Sequence, residues 1–168
     1  AFGDTADFKN IIDFRYKILP YLYSEFVKAA LCGDMFIKPL AFGFPGDKRA
    51  EEIDDQLLVG EGIMIAPVME EGKVSRSVYL PEDRTMVRYN GEFICKSVKA
   101  GQIQINVGLG EVVFFILKDK AVIVCGGAEN TSKLDLANVT LLGGGEYEQY
   151  LDDGFTKNIS RDNIRTVR

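Results

Sequence analysis

Carboxylates are the side chains of this sequence best placed to do chemistry, and four pairs of identical ones are adjacent: Glu51-Glu52, Asp54-Asp55, Glu70-Glu71 and Asp152-Asp153. Two carboxyl groups flanking a bond can cleave a glycosidic linkage, at separations of about 5–5.5 Å for retention or about 6.5–9.5 Å for inversion. Sequence neighbours meet that need poorly, because they point to opposite faces of a strand and diverge on a helix. Each pair therefore has a plainer reading. Asp54-Asp55 caps or charges a helix, Glu70-Glu71-Gly72 is a turn, and Asp152-Asp153-Gly154 carries the Asp-Gly signal of a hairpin turn. The last also lacks the ligand spacing of an EF-hand calcium loop.

Composition removes other chemistries. The chain has no histidine, so Ser-His-Asp and Cys-His catalysis and histidine-containing metal sites are absent from it. Cys32, Cys95 and Cys125 are an odd, widely spaced set that forms neither a disulfide framework nor a CxxC metal pattern, which suits a reducing cytoplasm. The glycine run Gly143 to Gly145 is not followed by the Gly-Lys-Ser/Thr of a phosphate loop. No metal or cofactor is implied. With 20 Lys+Arg against 25 Asp+Glu, a net charge of −5 leaves no basic face for nucleic acid. No apolar run approaches the ~20 residues that span a bilayer.

The elements that must position these groups change character near residue 40. From Thr5 to Cys32 the apolar residues Phe8, Ile11, Ile12, Tyr16, Leu19, Leu22, Tyr23, Phe26, Val27 and Ala30 step by three and four, one face of an α-helix. Asp4 or Thr5 caps its start and Gly33 ends it, while Pro20 either kinks it or begins a second helix. Arg15 lies within the apolar stripe and must be paired if that face is buried, an ion pair anchoring the helix to its body. The spacing of Ile53, Leu57 and Leu58 predicts a short helix within residues 47–59. From Gly62 onward come nine short β-rich runs: IMIAPV, SVYLP, TMVRYN, EFICKSV, QIQINV, EVVFFIL, AVIVC, NVTLL and YEQYL. Turn residues separate them, the pattern of an antiparallel sandwich. The fold class is α+β, a helical leader followed by an antiparallel β-sandwich.

Five motifs carry a family resemblance: RYKILPYLYSEF (Arg15 to Phe26), KPLAFGFPGD (Lys38 to Asp47), DDQLLVGEGIMIAPV (Asp54 to Val68), VYLP (Val78 to Pro81) and YLDDGFT (Tyr150 to Thr156). In this order they resemble the last barrel helix and C-terminal sheets of glycoside hydrolase family 31, the α-glucosidase and α-xylosidase family. Lys38 stands where that family usually has Arg, replacing a bidentate contact with a point charge.

The resemblance implies a retaining α-glucosidase-like hydrolase acting on α-linked glucosides, with its catalytic Asp residues upstream of this chain and none within it. Residues 1–40 would be the end of the catalytic (β/α)8 barrel, 41–120 a proximal C-terminal β-sandwich, and 121–168 a small distal β domain. Arg15, Tyr16, Pro20, Lys38 and Asp55 become structural anchors. The implied partner is the upstream barrel of the same enzyme, and the chain alone is expected to be inactive. Only residues near Ala1 to Asp7 could approach the pocket of such a barrel. Two other classes stay open: a free-standing β-sandwich carbohydrate-binding module, and a homo-oligomerisation module pairing through the helix.

Overall fold

A computed structural model describes residues 5–155 and 159–168. Ala1 to Asp4, with the expected cap at Asp4, and Thr156 at the end of YLDDGFT lie outside the described residues. Helix α1 (Thr5–Cys32) runs unbroken for 28 residues, about 42 Å at 1.5 Å per residue. Gly33 follows it at φ 68°, the left-handed stop its position anticipates. Pro20 sits inside α1. Its missing N–H deprives the Tyr16 carbonyl of a helical donor, and the thiol of Cys125 approaches that oxygen at 3.6 Å instead.

After α1 come β1 (Ile37–Pro39), α2 (Leu40–Gly43), α3 (Lys48–Glu51), β2 (Leu57–Val59), β3 (Ile63–Ile65), β4 (Ser75–Leu80), β5 (Arg84–Tyr89) and β6 (Phe93–Val98). The remaining strands are β7 (Gly101–Asn106), β8 (Val112–Ile116), β9 (Ala121–Cys125), β10 (Val139–Gly143), β11 (Tyr147–Tyr150) and β12 (Ile164–Val167). Each of the nine β-rich runs contains a strand. The helix expected within 47–59 is shorter than its pattern suggests. Only α3 forms, capped by Asp47, whose carboxylate accepts from the backbone N–H groups of Arg49 at 3.0 Å and Ala50 at 3.2 Å. Asp54-Asp55 caps nothing there. Leu57 and Leu58 are strand residues because β2 must serve two cores at once.

The central sheet has the order β1-β2-β3-β8-β5-β6, with every pairing antiparallel. Alternation along each strand sends neighbours to opposite sides. Val59, Ile63, Val87, Phe114 and Ile116 join Ile18 and Tyr21 of α1 and Val122 and Ile123 of β9 in one core. Leu58, Met64, Met86 and Phe115 join Val78 and Leu80 of β4, Ile105 of β7, and Leu40 and Ala50 in the other. The result is a three-layer body: α1 with β9–β12 on one side, the central sheet, and the β4–β7 ribbon on the other. Gln56, fully buried, ties the ribbon to the sheet. Its side-chain amide donates to the Tyr79 carbonyl and accepts from the Tyr79 N–H, both at 2.8 Å, as a neighbouring strand would.

Helix α1 corrects the single-stripe reading. Ile18, Tyr21, Ser24, Glu25 and Val27 are buried, whereas Phe8, Ile11, Ile12, Tyr23 and Phe26 are exposed. The stripe read from the spacing holds only Val27 of the buried set; it is largely the exposed face, and the covered face of Ile18 and Tyr21 lies beside it. The chain's own strands cover the latter.

Candidate functional site

The covered face of α1 is fastened by polar groups. The Ser24 hydroxyl donates to the Pro20 carbonyl at 2.7 Å and accepts from the Tyr150 N–H at 3.1 Å, joining the helix to β11. The next residue, Glu25, is 3% exposed, and a buried carboxylate must be paired. The Tyr147 hydroxyl donates to its Oε1 and the Glu61 N–H to its Oε2, each at 2.7 Å. Lys28, one turn further along α1, pairs with Glu25 and lies 4.5 Å from the Tyr147 ring centroid. The Tyr21 hydroxyl donates to the Val59 carbonyl at 2.7 Å and accepts from the Gly62 N–H at 2.9 Å. Burial foremost, and the Glu25 charge next, raise both Tyr21 and Tyr147 well above the usual tyrosine range. Both hydroxyls therefore stay protonated and act as donors.

The turn between β2 and β3 must come very close to admit this network. Gly60 has φ 62°, and a Cβ there would lie 2.4 Å from the Glu25 side chain. Only glycine meets both conditions. Beside the network a groove of about 440 Å³ is lined by residues including Lys28, Cys32, Lys38, Glu61, Glu148 and Arg161. Its charges are mixed and partly paired among themselves, Lys38 with Asp34 at 3.1 Å.

The uncovered face of α1 presents Phe8, Ile11, Ile12, Tyr23 and Phe26, with Met35, Ile37 and Phe42 exposed in the segment that follows. Arg15 is on this face. It is exposed and has no ion-pair partner among the described residues, so the expected pairing to the chain's own sheets is not formed. Tyr16 is half-buried and acts through its carbonyl, Pro20 is buried, and Lys38 pairs with Asp34. Asp55 accepts from the Arg76 guanidinium at 2.7 Å, bridging the segment before β2 to β4. The five residues are thus distributed along the body; the structure does not gather them into one site.

The carboxylate pairs are not brought together into a site. Glu51, Glu52, Asp54, Glu70 and Glu71 are exposed. Asp152 accepts from the Gly154 N–H at 2.9 Å and from the Tyr23 hydroxyl, which that bond pushes up to about 12. Asp152-Asp153-Gly154 opens a long connection between the paired strands β11 and β12; it is not the tight hairpin expected. Among the described residues no group of three or more His, Cys, Asp or Glu could hold a metal ion, and no helix is long and apolar enough to cross a membrane. The Tyr21–Glu25–Tyr147 network went unforeseen in the sequence. Its only trace there is Glu25 standing four residues after Tyr21 on a largely apolar helix.

Comparison with known proteins bears on what such a body belongs to. Residues 33–123 match the glycosyl hydrolase family 31 C-terminal domain. Alpha-glucosidase 2 of Bacillus thermoamyloliquefaciens is 29% identical over 164 residues, covering 93% of this chain and 20% of that protein. An alpha-glucosidase of Saccharolobus solfataricus is 33% identical over 133 residues, covering 79% of this chain and 19% of that protein. Among solved structures, a Flavobacterium johnsoniae GH31 dextranase superimposes with a TM-score of 0.73 at 26% identity, over 92% of this chain and 20% of that one. The chain spans a fifth or less of the length of each of these relatives.

Proposed function

The chain belongs to glycosyl hydrolase family 31, in the C-terminal region of such enzymes, and from that premise we propose that it is the supporting C-terminal portion of a retaining α-glucosidase-like hydrolase. In this reading α1 closes a catalytic barrel that lies upstream, and the sheets hold α1 in place. The observation that carries it is the two-faced helix: one face is fastened by Ser24, Glu25 and Tyr21, while Phe8, Ile11 and Ile12 on the other are exposed and Tyr23 and Phe26 are covered only in part. An apolar stripe of that extent is a surface for another part of a protein.

The chain's contribution to the reaction is positional. A retaining mechanism places one carboxyl as nucleophile and one as acid/base about 5–5.5 Å apart, and these belong to the barrel. The α1 face sets where the last barrel helix sits, and a misplacement of about 1 Å at such a site can cost on the order of 100-fold in rate. Arg15 would be paired against the barrel. Residues 1–40 complete the barrel, 41–120 form the proximal sandwich and 121–168 the distal one. The three free cysteines, Cys32, Cys95 and Cys125, support a cytoplasmic parent.

The test is hydrolysis of a chromogenic α-glucoside by the 168-residue chain and by the same chain extended upstream through a full barrel. Turnover is expected only from the longer protein. Turnover by the short chain would place the catalytic carboxylates among the pairs read here as turns and surface charges.

A further inference from the structure

The β4–β7 ribbon has an outer face built of neutral polar side chains. The register sets Ser75 opposite Asn106, Ser77 opposite Gln104, and Tyr79 opposite Gln102. Their neighbours Val78, Leu80 and Ile105 point inward and are buried, so these six side chains share the outward side. In a chain that is 27% charged, every one of the six is neutral and can both donate and accept hydrogen bonds. Arg49 and Asp47 border the face and cancel in charge. The Tyr79 hydroxyl donates to Asp47 at 2.8 Å, and the Arg49 guanidinium lies 4.6 Å from the Tyr79 ring centroid. Arg49 also donates to Gln102, and Gln102 to Ser77. The side-chain amides of Gln104 and Asn106 are exposed and have no partner among the described residues.

We propose that this face binds a neutral gluco-oligosaccharide. A patch of zero net charge in a chain of net charge −5 is complementary to an uncharged ligand. The carboxamides recur every second residue on β7, about 6.8 Å apart, and each offers an N–H pair and an oxygen to vicinal hydroxyls. The Arg49 guanidinium, 4.6 Å from the Tyr79 ring centroid, adds further donors at one end. The choice of glucose units rests on the proposed enzyme function; the hydrogen-bonding argument does not. A site of this kind would hold a polymeric substrate near the enzyme without acting on it.

The experiment is an amide-detected NMR titration of the 168-residue chain with maltotetraose. The side-chain NH2 signals of Gln102, Gln104 and Asn106 should shift along one saturating curve, while those of Asn10 and Gln149 stay fixed. Replacing Gln104 and Asn106 together by Ala should weaken binding about tenfold or more and leave the urea midpoint unchanged. Gln104→Glu, which keeps shape and adds charge, should weaken it as well. Shifts that do not saturate, or that fall elsewhere on the chain, overturn the proposal, as does unaltered binding by both variants. The two readings fail separately. A parent enzyme that hydrolyses α-glucosides while this face stays silent refutes the face alone. Saturable binding here beside a parent without hydrolysis refutes the enzyme reading alone.

Discussion

Removing the carboxylate of Glu25 tests whether the polar network holds α1 to its body. Glu25→Ala removes the acceptor of two donors, the Tyr147 hydroxyl and the Glu61 N–H, each now bonded at 2.7 Å. An unsatisfied buried donor costs about 1–3 kcal/mol. Lys28 loses its partner too, but its side chain keeps 17% exposure and can be hydrated, so its share is small. The sum is about 2–6 kcal/mol, which brackets the range of about 3–5 kcal/mol found when one member of a buried ion pair is deleted. At about 2–4 °C per kcal/mol for a domain this size, the melting temperature should fall by about 4–24 °C. Urea denaturation followed by far-ultraviolet circular dichroism measures the change directly. Glu25→Gln keeps one acceptor oxygen and should cost about half as much. A Glu25→Ala protein within about 0.5 kcal/mol of the parent chain, the range of surface substitutions, would refute the fastening role.

Gly60→Ala should destabilise by about 1–3 kcal/mol or more through the left-handed backbone, with the clash against Glu25 added, read by the same denaturation. Arg15→Ala should leave the 168-residue chain within about 0.5 kcal/mol yet destabilise the barrel-containing enzyme clearly; equal small effects in both would remove Arg15 as a barrel anchor. Glu111 gives a pH test. Burial pushes its carboxyl up, but the Gly108 N–H and the Arg88 guanidinium outweigh burial and hold it below the usual range. A depressed folded value means its stabilisation is present above the unfolded pKa near 4.3 and is lost as pH falls through the lower folded value. Glu111→Gln should therefore flatten the loss of stability on acidification below pH ~5, and an unchanged slope would contradict the assignment.

Local pattern revealed most of the secondary structure. Both ends of α1 and all nine β-rich runs could be read from spacing, Gly33 and turn residues, because short-range sterics decide them. What failed was partnership. The steps of three and four on α1 trace the face that stays bare, from Phe8 and Ile11 to Phe26, whereas the covered side mixes Ile18 and Tyr21 with Ser24 and Glu25 and shows no apolar stripe. Arg15 lies on the bare face, so the ion pair its place in the stripe predicts has no partner within the described residues. Three-residue strands such as β1 and β2 are too short to show alternation, and their pairing is set by β3 and β8. Glu25 meets Tyr147 across 122 residues of sequence, a distance at which a single chain shows no pattern.

That separation governs the order in which the molecule can be made. Ser24 waits for Tyr150, which is 126 residues later. At about 5–20 residues per second, α1 leaves the ribosome about 6–25 s before the strand that covers it. During that interval Tyr21, Ile18 and Val27 are exposed to solvent, as are the apolar residues of the opposite face. A barrel synthesised beforehand would occupy one side of the helix and leave only the other to await β9 and β11. The upstream partner would thus act during synthesis as a scaffold for the nascent chain, and a ribosome pausing before Tyr147 would release a body whose longest helix lacks its β11 contacts.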